Sequence, residues 1–335
     1  MTRQTMPDPG PILQALSAYW VSGAVKGALV LDLFTRIGTG ATTAETLAEA
    51  CGATVRGARI LADAMCSLGF LNKEGQRYSL TPLADTFMRS DRPTYVADFH
   101  RFMNSEPFWD AFNRTAVAAR SGRSVMDRHA LTPENDLWVQ FAESSLPLAL
   151  GATAPMVEVL DAKRPALRIL DVAAGSGGYG ITLAQASPGS ELTFLDWPNV
   201  LEVAKRHAHR LGVGANVRLL PGSALDVAWG GPFDIVVAGN FFHHFDPATC
   251  TEIARRAKNA LKPGGVFATT EFVADPERKE PGLPLLFAVA MLVWTDAGDA
   301  YTFSEVESFL RRGGFESVTE HRMGENPSTW IVARG

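Results

Sequence analysis

The sequence predicts an α/β chain in two parts. A mainly helical N-terminal region with a winged-helix pattern precedes a largely parallel sheet with helices on both faces. Three observations carry this reading. Apolar residues recur at helical spacing as far as about Arg120. From Leu167 short β-rich runs alternate with helical ones, and the first such run leads into a glycine-rich turn.

Taken in order, Ile12, Leu13, Leu16, Tyr19, Trp20 and Ala24 mark one face of a first helix. A second helical run spans Leu29 to Ile37 and stops at Gly38. Thr42-Thr43-Ala44-Glu45 has the composition of a helix N-terminus. Ala44–Ala50 and Val55–Leu68 read as short helices parted by Cys51-Gly52-Ala53. A polar turn, Lys73-Glu74-Gly75-Gln76, then leads to the short strand Arg77–Leu80. Helices followed by a two-stranded wing form a winged-helix pattern, which invites a DNA-binding reading. The candidate helix offers only Arg56 and Arg59, and the wing sets Lys73 and Arg77 against Glu74, so a scaffold or dimerisation module is favoured. The strongly apolar first helix, which needs a burial partner, points the same way.

Aromatic residues crowd the stretch from Asp91 to Asp136, which reads as a connector. A long helix from Leu137 to about Asp161 follows, with Pro147 and Gly151 as breaks. Strands are expected at 167–172, 192–195, 217–220, 233–237 and 266–270, with helices in the gaps at 180–186, 200–211 and 249–261. The pattern changes near residues 155–166. With the connector assigned to the first part, the expected domains are 1–120 and 121–335.

Composition narrows the function classes. The 335 residues suggest about two domains. A net charge of −5 argues against bulk electrostatic binding of nucleic acid. Cys51, Cys66 and Cys250 are too few and too scattered for a disulfide framework or a thiolate metal site. The longest apolar run, Leu283 to Trp294, falls short of the roughly 20 residues a membrane span needs. Met1 to Pro11 lacks the apolar stretch of an export signal, so a soluble cytoplasmic protein is expected.

The most informative stretch is Ile169 to Gly180, Ile-Leu-Asp-Val-Ala-Ala-Gly-Ser-Gly-Gly-Tyr-Gly. Gly175 and Gly177 let the backbone turn tightly and approach a ligand, and Gly180 suits close packing of helix on strand. Asp196 follows at the tip of the second strand, where a carboxylate accepts ribose hydroxyls. A dinucleotide such as NAD and the phosphate-free nucleoside S-adenosylmethionine compete for such a crevice. Asp171 would repel a pyrophosphate yet suits a water or an ammonium group. The downstream Ala260-Leu-Lys-Pro-Gly-Gly-Val266 also favours S-adenosylmethionine.

With these residues in order, the chain resembles the class I S-adenosylmethionine-dependent small-molecule O-methyltransferases that carry a winged-helix dimerisation domain. The resemblance runs from about Leu13 to Val332 and rests on 170–180, 193–197, 222–225, 240–250, 261–271 and 298–315. It implies a Rossmann-like catalytic domain, a homodimer through the N-terminal domain, and S-adenosyl-L-methionine as cofactor. It implies Asp171, Gly175 and Gly177 as the cofactor loop, Asp196 as ribose clamp and Trp197 over one adenine face. Ser223 and Ala224 stand at the adenine amino group, where many members carry Asp in place of Ser223, and Asn240 joins the cofactor set. Ala173 replaces the first glycine of the family's stricter loop.

In the family a His-Asp-Trp segment followed by Cys supplies a general base, and His243, with Cys250 seven positions later, matches it. His244 is the second choice. Related members orient the base with an acid 28 positions on, here Glu271. The position of the family's second acid is occupied by Ala300, with Asp299 adjacent, and this departure leaves room for C-methylation or for a non-methylating rearrangement or decarboxylation. No metal is expected, since adjacent histidines do not present both rings to one ion and the only nearby third ligand is Asp246. Phe287, Met291 and Trp294 on one helix, with His100, Phe102 and Met103 from the connector, are the expected walls of an apolar pocket for an aromatic or polyketide-like acceptor. A ligand-sensing regulator and an NAD-dependent oxidoreductase are the readings from other classes.

Overall fold

The computed structural model describes residues 7–280, 282–324 and 328–335. The chain divides into two compact units, Met1–Asn104 and Ser105–Gly335.

In the first unit helices Gly10–Val30, Leu33–Gly38, Ala44–Cys51 and Val55–Ser67 precede an antiparallel pair, β1 (Leu71–Glu74) and β2 (Arg77–Leu80). The expected continuous run from Leu29 to Ile37 is interrupted. Asp32, in the left-handed region at φ 52°, turns the chain so that Leu29, Leu33, Phe34 and Ile37 all reach the core. Thr43 caps the third helix in a reciprocal pair with Thr46. The fourth helix and the wing are tied through Asp63, whose carboxylate takes Arg59, Lys73 and the Tyr78 hydroxyl. Two cations of a would-be DNA-reading surface are thereby neutralised locally. The first helix leaves Ile12, Leu13, Leu16, Tyr19 and Trp20 exposed, each by more than half.

The unit boundary falls at Asn104 rather than near residue 120. Helices Glu106–Asn113 and Thr115–Ser121 pack on Gly282–Trp294, and Phe108 meets Trp294 edge-on at 4.9 Å. Ser124 Oγ and Val125 N donate to the Val293 carbonyl. These contacts bind the connector to residues far ahead in sequence, which local pattern does not reveal. The expected helix ending near Asp161 instead runs Asp136–Thr153 and resumes as Met156–Val159. It breaks ahead of Pro155 while Pro147 sits inside it.

Seven strands of the second unit form one sheet in the order β5-β4-β3-β6-β7-β9-β8. They are β3 (Arg168–Val172), β4 (Glu191–Asp196), β5 (Val217–Pro221), β6 (Phe233–Val237), β7 (Leu261–Glu271), β8 (Ser317–Arg322) and β9 (Thr329–Arg334). The first five are parallel, at the positions the β-rich runs predict. The antiparallel β9 and β8 complete the edge, a pairing the sequence reading did not anticipate. One apolar layer centres on Phe242, Cys250, Phe267 and Phe309, the other on Leu160, Ile181, Phe194 and Trp330, with the sheet between them. The chain leaves β3 for β4 and β5, then crosses back to β6. The crevice at the carboxyl ends of these strands is therefore a topological switch point, where open α/β sheets take ligands. Among the described residues no helix is long and apolar enough to cross a membrane.

Candidate active site

β3 runs into the glycine turn, and Gly177 at φ 75° caps helix Gly178–Ala186. A side chain at Gly177 would strike the Phe194 ring at 2.9 Å, and one at Gly180 would strike Leu192 at 2.7 Å. Packing thus demands both glycines, and φ demands the first as well. Ala173 and Gly175 also lie in the left-handed region, at φ 52° and 53°. Left-handed alanine costs roughly 1–2 kcal/mol, offset by the roughly 0.4–1 kcal/mol that glycine's freer unfolded chain gives back. Ala173→Gly is accordingly expected to stabilise the protein by about 0.5 kcal/mol, read as a rise in the urea unfolding midpoint.

The first acid of the turn, Asp171, is fully buried. Its Oδ2 accepts from Gly180 N at 2.8 Å, while Oδ1 has no partner among the described residues. Burial holds its carboxyl well above the usual range. At the end of β4, Asp196 accepts from Gly175 N at 2.8 Å and from Trp197 N at 2.6 Å, so it grips the turn it borders. Burial pushes it up to about 6. Trp197 packs with Trp138 and Val139 against Ala142, Val200 and Val203 and stays partly exposed. Ser223 spends its hydroxyl on Leu225 N at 3.1 Å, and the Ala224 carbonyl accepts from Trp229 and Arg256. Asn240, at φ 53° beyond β6, donates Nδ2 to the Tyr179 hydroxyl at 2.9 Å and leaves Oδ1 buried and unpartnered. Two orphaned acceptors, with the Asp196 carboxylate beside the glycine turn, fit the ammonium and ribose of S-adenosylmethionine. They do not fit a pyrophosphate.

Just past Asn240 a short turn, Phe242–His244, carries both histidines. Buried Glu271, at the end of β7, organises it. Oε1 accepts from Phe241 N and Phe242 N at 3.0 and 2.8 Å, and Oε2 meets His243 Nδ1 at 2.6 Å. Nε2 of His243 makes no hydrogen bond among the described residues. The turn is held from behind as well. Asp299 N donates to the His243 carbonyl, and a side chain at Gly298 would sit 2.2 Å from that oxygen. Cys250 donates its thiol to the Phe242 carbonyl at 3.3 Å, and burial pushes that thiol far up, so it braces the turn as a neutral group. His244 has no carboxylate partner. It stands edge-on to Trp138 and Trp294 at 5.3 and 5.5 Å, and burial beside His243 keeps it neutral. Asp299 turns to Arg278 instead of the histidines, and Ala300 is buried. Among the described residues no group of three or more His, Cys, Asp or Glu side chains could hold a metal ion.

Phe287 lies 4.7 Å from His243, and Trp294 stacks on Trp138 at 4.7 Å. Met291, on the same helix, is buried, as Trp294 is. His100, Phe102 and Met103 belong to the first unit. His100 Nδ1 bonds the Ala97 carbonyl, Phe102 is buried and Met103 is exposed. Sequence reasoning missed Trp138 and Phe141, although their three-residue spacing on one helix face was a usable signal. It also missed the pairing of Tyr179 with Asn240, which has no local signature.

Comparison with known proteins gives a consistent result. Residues 169–265 match a family model for a methyltransferase domain, and residues 13–90 match one for an O-methyltransferase dimerisation domain. The chain is 34% identical to an O-methyltransferase candidate from Nostoc punctiforme, with a TM-score of 0.91, covering 98% of this chain and 99% of the other. It is 27% identical to the tetracenomycin polyketide synthesis 8-O-methyltransferase of Streptomyces glaucescens over 97% of this chain and 96% of that one. The structure of human N-acetylserotonin methyltransferase bound to S-adenosylmethionine has a TM-score of 0.83 at 20% identity, over 99% of both chains.

Proposed function

Since the chain belongs to the S-adenosylmethionine-dependent O-methyltransferases with an N-terminal dimerisation domain, we propose that it methylates a hydroxyl of a small aromatic or polyketide-like metabolite with His243 as general base. The observation that carries the choice of base is the 2.6 Å contact between His243 Nδ1 and buried Glu271. A carboxylate on Nδ1 fixes the proton there, leaves Nε2 as the basic nitrogen and stabilises the imidazolium that forms. His244 lacks such a partner, and its depressed basicity suits it to a neutral wall.

When bound, S-adenosylmethionine supplies a methyl group already activated on a sulfonium. Asp196 would accept from the ribose hydroxyls, and Asp171 Oδ1 and Asn240 Oδ1 from the ammonium. Phe287, Trp294 and Trp138 would hold a flat acceptor against Nε2 and exclude water, so that positioning and proton removal carry the rate. The acetylserotonin and the tetracenomycin polyketide in the relatives' names agree with that wall. The uncovered stripe Ile12, Leu13, Leu16, Tyr19 and Trp20 supports a homodimer through the first unit.

Product mass and bond position test the reading. Incubation with labelled S-adenosylmethionine and a panel of hydroxylated naphthalenes and anthraquinones is expected to yield products one methylene heavier, with the methyl on oxygen. Carbon methylation, or turnover without mass gain, would replace the proposal with one of its alternatives.

A further inference from the structure

An asparagine amide is nearly symmetric in shape but opposite in chemistry at its two ends, so its orientation decides whether a pocket offers a donor or an acceptor. Asn240 stands beyond the end of β6, beside β3, which carries Asp171. Its backbone is held by the N–H bond to the Thr270 carbonyl at 2.8 Å. Its side chain is held by one group, the Tyr179 hydroxyl, which accepts from Nδ2. Tyr179 is itself firmly placed. Its ring meets Trp330 edge-on at 5.6 Å and lies on Gly239, where an added Cβ would sit 2.2 Å from the ring. With Nδ2 committed, the free end of Asn240 is an oxygen, and the free end of Asp171 is an oxygen too. Two unpartnered buried acceptors, one on β3 and one just beyond the adjacent β6, call for a cationic donor.

We propose that Tyr179 is a positioning residue that selects the amino-acid end of the cofactor, by turning the Asn240 amide so that its oxygen joins Asp171 Oδ1 in receiving the ammonium. The proposal rests on the cofactor reading above. Its distinctive content is that Tyr179 acts on one end of the ligand only, through Asn240.

Calorimetry with two ligands tests it. S-adenosylhomocysteine carries the amino-acid end, and 5′-methylthioadenosine has the same nucleoside thioether without it. Tyr179→Phe is expected to weaken S-adenosylhomocysteine about tenfold, the scale of one charged hydrogen bond, and to leave 5′-methylthioadenosine within about twofold. Because Tyr179 works through Asn240, the double variant with Asn240→Ala should bind S-adenosylhomocysteine no more weakly than Asn240→Ala alone. Equal losses for both ligands, unchanged S-adenosylhomocysteine affinity in Tyr179→Phe, or losses that multiply in the double variant would overturn the proposal. If Tyr179→Phe fails to fold, Asn240→Ala carries the same test, and equal loss of both ligands again overturns it. Wild-type protein that binds neither ligand would overturn the cofactor reading, and this inference with it.

Discussion

His243→Ala is expected to lower turnover by about a thousandfold while S-adenosylhomocysteine affinity stays within about twofold, because base assistance contributes roughly 10²–10⁴ to rate and the imidazole makes none of the proposed cofactor contacts. Glu271→Gln should approach the same loss with the fold intact. Its amide oxygen can still accept from Phe241 N and Phe242 N, but its NH₂ would face His243 Nδ1 and force the proton onto Nε2. The nitrogen meant to take the substrate proton would then already carry one. Single-turnover assays beside calorimetry separate the two effects. Full activity in His243→Ala would transfer the role away from this residue.

Asp196→Ala is expected to behave in the opposite way, weakening S-adenosylhomocysteine by about a hundredfold, the scale of two charge-assisted hydrogen bonds less solvent compensation. Its titration gives a second signature. The ordinary carboxyl value is roughly 3.9, and burial raises that of Asp196 to about 6. Ribose hydroxyls are best held by the ionised form, so affinity should fall as pH drops from 7 toward 5. Stability runs the other way. Between about 4 and 6 the folded protein holds this proton more tightly than the unfolded chain, so the ligand-free protein is stabilised by this group as pH falls through that window. Asp196→Asn should flatten both trends, as calorimetry and urea titration at pH 5 and 7 would show. A wild-type affinity that does not change with pH while the variant's matches it would remove Asp196 from the ribose site.

Much of this protein is legible locally. The five parallel strands, the wing and the capped short helices follow from apolar period and turn residues. The glycine turn follows from the left-handed φ of Gly177 and from close contacts that exclude a side chain at Gly177 and Gly180. These signals lie within a few residues of the structure they cause, so sequence determined the fold class and the location of the crevice.

Tertiary structure alone decided which neighbouring group does what. His243 and His244 are chemically identical in the sequence, and they differ because one meets Glu271 and the other meets two indoles. Asp299, next to the position where a second acid was expected, pairs with Arg278. The connector joined the second unit through Phe108 and Trp294, and Tyr179 found Asn240 across the crevice. Each outcome depends on a contact between segments far apart in the chain, where the direction of a side chain is set by packing rather than by its neighbours in sequence.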